Sequence, residues 1–321
     1  MSVAHYTATS LAEFVDLVCK IKAPLRKDGL RFNEIPLFRG HADNSYQLIP
    51  AIARPIESFS SDSLIHEERN LIEMAKFKLP DVFREDMQPL ELLALLQHYG
   101  VPTRLLDVTE NALVALYFAC CSKNNDHDSD GEVIIFKNNE LEVANYPIIN
   151  AIADSYRFAT SSQTFHDFYR NLMCQPYFAE QKHSKGTRFD SLDDAAKWLY
   201  KVFSEPHFVY APIRSQRQRA QQGRYLVFSN LFIPSPFNNS AGIPESNWIF
   251  KEEIEPIKKG NDSIILARIT IPNASKLQIL FDLESFGISK EVLFCDDIGT
   301  VCSSITNSYQ RKARYMFNPL P

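Results

Sequence analysis

Three short stretches gather residue types that can grip an anion. In "LFRGHADNSYQLIPAIAR" (37–54), two large apolar residues run straight into Arg39, with Gly40 behind it and His41 next. A guanidinium is permanently charged and offers a planar fork of donors that suits carboxylate or phosphate. A glycine beside it admits a ligand or a second backbone to close range. The alternative reading is a structural arginine paired with an internal carboxylate.

The second stretch, "QHYGVPTRLLDVTENALVALYFA" (97–119), sets His98, Tyr99, Thr103, Arg104, Asp107, Thr109 and Asn111 between two apolar helices. Such groups must satisfy one another or line a pocket, because each unpaired buried polar group costs about 1–3 kcal/mol. Local architecture alone would use Asp107 or Thr109 as a helix cap and pair Arg104 with Asp107. The third stretch, "RSQRQRAQQGRY" (214–225), holds four arginines and four glutamines. It reads as a polar loop or strand edge. Gly223 then leads into an apolar run, which puts Gln221 and Gln222 at a strand's mouth. A solvated loop is the plain alternative.

Other chemistries find no support. The sequence has no GxSxG, HExxH, P-loop or GxGxxG pattern. "DHDSDGEVIIFK" (126–137) matches the first half of an EF-hand loop. Its twelfth position is Lys137 rather than a bidentate glutamate, so calcium is rejected in favour of an acidic turn. The six cysteines form no CxxC pair and no metal-ligand spacing, so they read as reduced thiols of a cytoplasmic protein without a metal. A net charge of −5 leaves no general footprint for nucleic acid or anionic lipid. The longest apolar block, 112–121, is half the ~20 residues a spanning helix needs, so no membrane partner is expected. The N-terminal stretch lacks a basic segment followed by an apolar run, so no signal peptide is expected.

The elements that must position these residues follow from periodicity. Helices are expected over "SLAEFVDLVCKI" with Ser10 as cap, "SLIHEERNLIEMAKFKLP", "PLELLALLQHYG", and "TENALVALYFACCS" with Thr109 as cap. "EIPLFRG", "EVIIF", "HFVYAP", "GRYLVFS" and "SIILARITI" read as strands, and "VPTRLLD" as a connecting segment. "QTFHDFYRNLM" and "DDAAKWLYKVF" look helical within the span 138–205, which reads as an insertion. "NASKLQILFDLESFG" is a helix with Asn273 as cap and Gly287 at its end, and a final helix follows over 296–317. Helices and strands mix without regular βαβ alternation. The expected class is α+β, a mixed or antiparallel sheet flanked by helices.

Taken in order, the three stretches resemble the FRG domain family, named for the Phe-Arg-Gly motif seen here as Phe38-Arg39-Gly40. "YQLIPAIAR" is similar to the continuation of its first motif, with Tyr46 where tryptophan is usual. The central stretch resembles the family's central motif almost throughout, with Val108 where tryptophan is common. Arg217, Gln221, Gly223 and Tyr225 resemble a third motif, with Gln218 where an apolar residue is usual, and 279–305 resembles the C-terminal pattern. The resemblance implies one FRG-type domain over 1–321, with its core at about 31–137 and 206–305 around the insertion.

The family's bacterial setting implies a toxin-like or phage-defence effector, with a macromolecular target or an antitoxin or defence partner. Its comparison with ADP-ribosyltransferase-like folds implies NAD as the small nucleotide ligand and substrate. In that reading Arg39 and Gly40 meet the diphosphate or nicotinamide ribose, and Thr103, Arg104 and Thr109 wall the pocket. His98, Tyr99, Tyr117 and Gly223 complete it, with Tyr99 or Tyr117 stacking on nicotinamide. Arg39, Asp107 and Gln221 would carry the chemistry. Gln221 stands where such transferases place a glutamate, and a carboxamide supplies no negative charge to an oxocarbenium-like transition state. Asp107 would then supply it, or the site binds without turnover. A nucleotide sensor without catalysis and a nucleic-acid-acting effector using Arg214, Arg217, Arg219 and Arg224 are the alternatives.

Overall fold

The computed structural model describes residues 3–27, 36–56, 59–121, 129–137, 142–143, 147–158, 164–179, 194, 200–213, 215–234, 248–260 and 263–295. The expected final helix over 296–317, Arg214, and most of the acidic turn at 126–128 lie outside the described residues.

Strands run β1 (Ala4–Thr7), β2 (Leu37–His41), β3 (Pro55–Ile56), β4 (Phe59–Ser63), β5 (Leu105–Thr109), β6 (Gly131–Phe136), β7 (Glu142–Val143), β8 (His207–Tyr210), β9 (Gly223–Val227), β10 (Leu231–Pro234), β11 (Trp248–Lys251) and β12 (Ile265–Ile271). Helices run α1 (Leu11–Lys27), α2 (Glu68–Lys78), α3 (Pro89–His98), α4 (Ala112–Cys120), α5 (Pro147–Ala153), α6 (Phe165–Met173), α7 (Pro176–Ala179), α8 (Gln216–Ala220), α9 (Lys276–Ser285) and α10 (Lys290–Leu293). One eight-stranded sheet, ordered β1-β12-β6-β2-β5-β9-β8-β7, carries the fold. Its two outer pairs are parallel and the inner ones antiparallel, so the class is α+β as expected.

Alternation along the strands sorts the side chains onto two faces. Phe38, Val133, Ile135, Ala267 and Ile269 pack with α1, α4 and α9. Leu105, Tyr225 and Val227 pack with α3 and α5. The opposite face carries Leu37, Ile134, Phe136, Leu106 and Val108, covered by irregular segments through Leu48, Ile52 and Ile257. The strand β5 breaks the alternation, with Leu105 buried on the face that also carries exposed Asp107 and with Leu106 and Val108 buried on the other. That removes the period-two signal and made 101–107 read as a connector, whereas Leu105–Thr109 is a central strand.

The helix α4 is apolar all round and lies directly on β2 and β6. A Cβ on Gly40 would stand 1.9 Å from the Ala115 carbonyl oxygen, and one on Gly131 would stand 2.1 Å from that of Ala119. Gly40 therefore admits a backbone, the helix, rather than a ligand. The cap of α4 is Asn111, not Thr109: its Oδ1 accepts from the amides of Leu113 (2.9 Å) and Val114 (3.4 Å). Ser10 does cap α1, accepting from the Glu13 amide at 3.3 Å while the Glu13 carboxylate accepts from the Thr9 amide and hydroxyl. The block 216–220 forms α8 rather than a loop, because Ser215 accepts from the Gln218 amide at 3.0 Å and starts it. On the C-terminal side, a 3₁₀ turn over Asn273–Ser275 precedes α9, so the expected helix begins three residues late.

Candidate functional site

The sheet opens beside Arg39. Strands β2 and β5 share a single residue pair, Phe38 with Thr109, and then diverge. The Arg39 side chain bridges the divergence, donating from Nη1 to the Asp107 carbonyl oxygen at 2.5 Å. A cavity of about 200 Å³ lies next to Asp107, lined also by Ala51 and Arg54 before β3 and by Gln97 and Gly100 at the end of α3; Arg39 does not line it and borders it only through the Asp107 carbonyl. Gly100 has φ +87°, the left-handed conformation that lets the chain turn from α3 toward β5. The cavity is smaller than the ~300 Å³ at which drug-sized ligand sites begin.

Arg39 heads a row of buried groups. Its Nε donates to His41 Nε2 at 2.9 Å, and His41 Nδ1 stands 3.3 Å from Glu132 Oε1. Glu132 also accepts from Lys259 Nζ and, at 2.9 and 2.6 Å, from Arg268 Nε and Nη2. His41 and Glu132 are almost fully buried. Burial pushes the His41 pKa down to about 4; the hydrogen bond to Glu132 opposes this, and the charges of Arg39 and Lys259 add to it. The ring is therefore neutral, and its contact with Glu132 is a hydrogen bond rather than an ion pair. Burial would raise Glu132, but the hydrogen bonds from His41, Lys259 and Arg268 override it and hold the carboxyl at about 2. Arg39 itself is lowered to about 10, by burial first, with Asp107 opposing and Arg54 adding repulsion. It stays charged at neutral pH.

The charges do not balance. Arg39, Arg54, Lys259 and Arg268 face Glu132 and Asp107, four cations against two carboxylates. Among the described residues neither Arg39 nor Arg54 is ion-paired with a carboxylate; Arg54 gives its Nε to the Ile49 carbonyl at 3.4 Å. In a chain of net charge −5, this opening is a local positive field.

The other expected site residues separate into groups. Arg104 is fully buried and is held bidentate by Glu68, with Asn230 Oδ1 at 3.0 Å and the Phe228 carbonyl at 3.3 Å. Its partner is thus Glu68 on α2 rather than Asp107. Thr103 donates to Gln97 Oε1 at 2.6 Å and accepts from the Leu105 amide. Thr109 donates to the Gln221 carbonyl at 2.6 Å, which ties the second motif to the third; Gly223 pairs with Thr109 across β5 and β9. The Gln221 carboxamide donates to the Leu293 carbonyl at 3.0 Å. Tyr117 is 7% exposed within the α4 core, its hydroxyl pushed upward by burial, and it does not line the cavity. His98 and Tyr99 meet edge-on at 5.0 Å, with Tyr99 62% exposed, and neither lines the cavity. The structure therefore joins Arg39 to Asp107 and Thr109 to Gln221, while Gly40, Arg104 and Tyr117 are enclosed in packing.

Across this geometry, the FRG domain family model matches residues 34–128. The chain carries an FRG domain. The matched span runs from the approach to β2 to just past α4, and so takes in the first two motifs and the cavity. The third motif lies outside it, yet β9 continues the FRG domain's sheet through β5. No curated protein and no solved structure matches the chain.

Sequence reasoning missed Glu132, which holds His41 beside Arg39, and Lys259 and Arg268, which anchor Glu132. One signal was present: Glu132 is a lone charge inside the apolar run "GEVIIF". Two of the four arginines of the third motif are engaged locally, Arg224 with Glu110 at 3.1 Å and over the Tyr210 ring at 4.1 Å, and Arg217 over the Phe294 ring at 4.5 Å. That leaves them less available to a nucleic-acid backbone.

Proposed function

We propose that this chain is an FRG-domain effector that binds an anionic nucleotide, with NAD as the candidate ligand. The excess of cations at the β2–β5 opening carries the reading. Arg39 and Arg54 would take the diphosphate, since a forked guanidinium binds phosphate oxygens in pairs. One end of the ligand would enter the cavity beside Gln97 and Asp107. The toxin or phage-defence setting rests on the family resemblance and adds a cellular expectation: a ligand this abundant would be sequestered or consumed. Calorimetric titration with NAD tests the reading. Saturable binding that weakens with added salt and is lost in Arg39→Ala supports it, and equal heats for both chains would sink it.

A second reading is cleavage of the nicotinamide–ribose bond. It is favoured by Asp107, an exposed carboxylate at the cavity's edge that can face a developing oxocarbenium charge. Gln221, committed to the Leu293 carbonyl, contributes no charge. Chromatography of NAD incubated with the protein would show nicotinamide release that disappears in Asp107→Asn. Binding without release assigns the chain to sensing rather than turnover.

A further inference from the structure

Residues 39 and 41 alternate onto one face of β2, so the two side chains stand side by side. An arginine Nε–H can only donate, so the His41 Nε2 atom, 2.9 Å away, must present its lone pair. The ring proton then sits on Nδ1 and points at Glu132 Oε1. Glu132, anchored by Lys259 and Arg268, can only accept. Each group in the row thus fixes the role of the next. With Nε given to His41 and Nη1 to the Asp107 carbonyl, the Nη2 edge of Arg39 has no partner among the described residues.

We propose that His41 is a positioning residue: held in its Nδ1–H form by Glu132, it locks the Arg39 fork so that the Nη2 edge faces the anion. This deepens the anion-binding reading and rests on it for the ligand. Its core, the tautomer and the lock, stands without any ligand. A side chain at 41 that keeps the acceptor but loses the donor preserves the lock; one that keeps the donor but loses the acceptor breaks it. Glutamine places an oxygen near where Nε2 stood, and asparagine places an amide N–H near where Nδ1 stood.

The first test uses the wild-type chain labelled with ¹⁵N-histidine. Long-range ¹⁵N–¹H spectra should show His41 neutral with the proton on Nδ1, and an Nε2–H ring would overturn the proposal whether or not NAD binds. The second test compares Arg39 Nε–H exchange and NAD titration in wild type, His41→Gln and His41→Asn, each checked by thermal melting. His41→Asn should expose the Arg39 Nε–H and weaken NAD by about tenfold or more, the loss expected when a hydrogen bond to a charged group goes. His41→Gln should restore slow exchange and most of that affinity. Affinity and exchange that follow melting temperature, rather than the acceptor at position 41, would make His41 merely structural. If the wild type binds no NAD, the exchange arm still decides the lock, and only the nucleotide reading falls.

Discussion

Arg39 on β2 and Arg104 just before β5 are both implied as ligand-binding by the motifs that carry them. Arg104 is fully buried and meets a bidentate carboxylate, an amide oxygen and a carbonyl, so its charge is matched where it sits. Arg39 is half-buried, and its partners are a neutral ring nitrogen and a carbonyl, which accept hydrogen bonds without cancelling its charge. One arginine is spent on holding α2 to the sheet; the other keeps its charge in reserve. The difference comes from the partner and not from the arginine, and it is the partner that a motif does not display.

The largest effect should come from breaking the neutralised side. Arg104→Met leaves Glu68 buried without a cation and should cost about 3–5 kcal/mol, read as a shift of the urea midpoint. Adding Glu68→Leu should recover much of that loss, because removing both charges avoids stranding either. NAD affinity of the folded double variant should match wild type. A double variant that stays folded but no longer binds would erase the distinction between the two arginines.

Acid probes the Arg39 side. Folded His41 resists a proton that the unfolded chain accepts near pH 6.5, since its own pKa lies at about 4. Between those values the unfolded state holds more protons, so stability falls as pH falls, by about 3 kcal/mol in all. Glu132, held at about 2 against an ordinary 4.5, adds a further loss of the same sign below that window. Asp154, raised by burial to about 6 from 3.8, works in the opposite direction between those values. Between pH 7 and pH 4, urea unfolding should therefore show wild type losing about 3 kcal/mol more stability than His41→Gln, because the variant keeps the opposing Asp154 gain without the His41 loss. Identical slopes would mean that His41 is not the neutral, buried link described.

A smaller effect separates affinity from stability at Arg39 itself. Arg39→Ala removes hydrogen bonds to neutral acceptors at a half-buried position and should cost about 1–2 kcal/mol of stability, well below the Arg104 loss. Its NAD affinity should nevertheless fall by about tenfold or more, since the ligand's charge then lacks its main partner. Arg39→Lys keeps the charge without the fork and should fall between. Thermal melts and titrations on the same three proteins check the ranking.

How much of this could be read from the sequence depends on the range over which each feature is decided. The strand carrying Arg39, the helix α3 closed by Gly100, and the strands β8, β9 and β12 rest on local periodicity and turn chemistry and were legible, although β2 runs on past Arg39 to His41. β5 was not, because Leu105 and Leu106 are buried on opposite faces and its apolar residues therefore show no alternation. Nor were the partners of the arginines. Glu68 lies 36 residues from Arg104 and Glu132 lies 91 from His41, and only the sheet order brings them together. Gly40 stayed open between a ligand and a second backbone for the same reason: the choice is settled by what packs on it, here the Ala115 carbonyl.

Gln221 offers the smallest and sharpest test. The third motif puts a carboxamide where a charge-supplying glutamate was expected, and its Nε2–H donates to the Leu293 carbonyl, tying β9's entrance to α10. A carboxylate has no donor to give, so Gln221→Glu sets two acceptors against each other and should cost about 1–2 kcal/mol. The new charge would also be drawn toward Arg217, whose guanidinium already sits over the Phe294 ring. If the Arg39 opening alone holds the ligand, NAD affinity in Gln221→Glu should stay within about threefold of wild type, less than the tenfold step of 1.4 kcal/mol. A marked gain in affinity, or nicotinamide release appearing only in this variant, would instead place Gln221 at the ribose and join the second and third motifs into one working site.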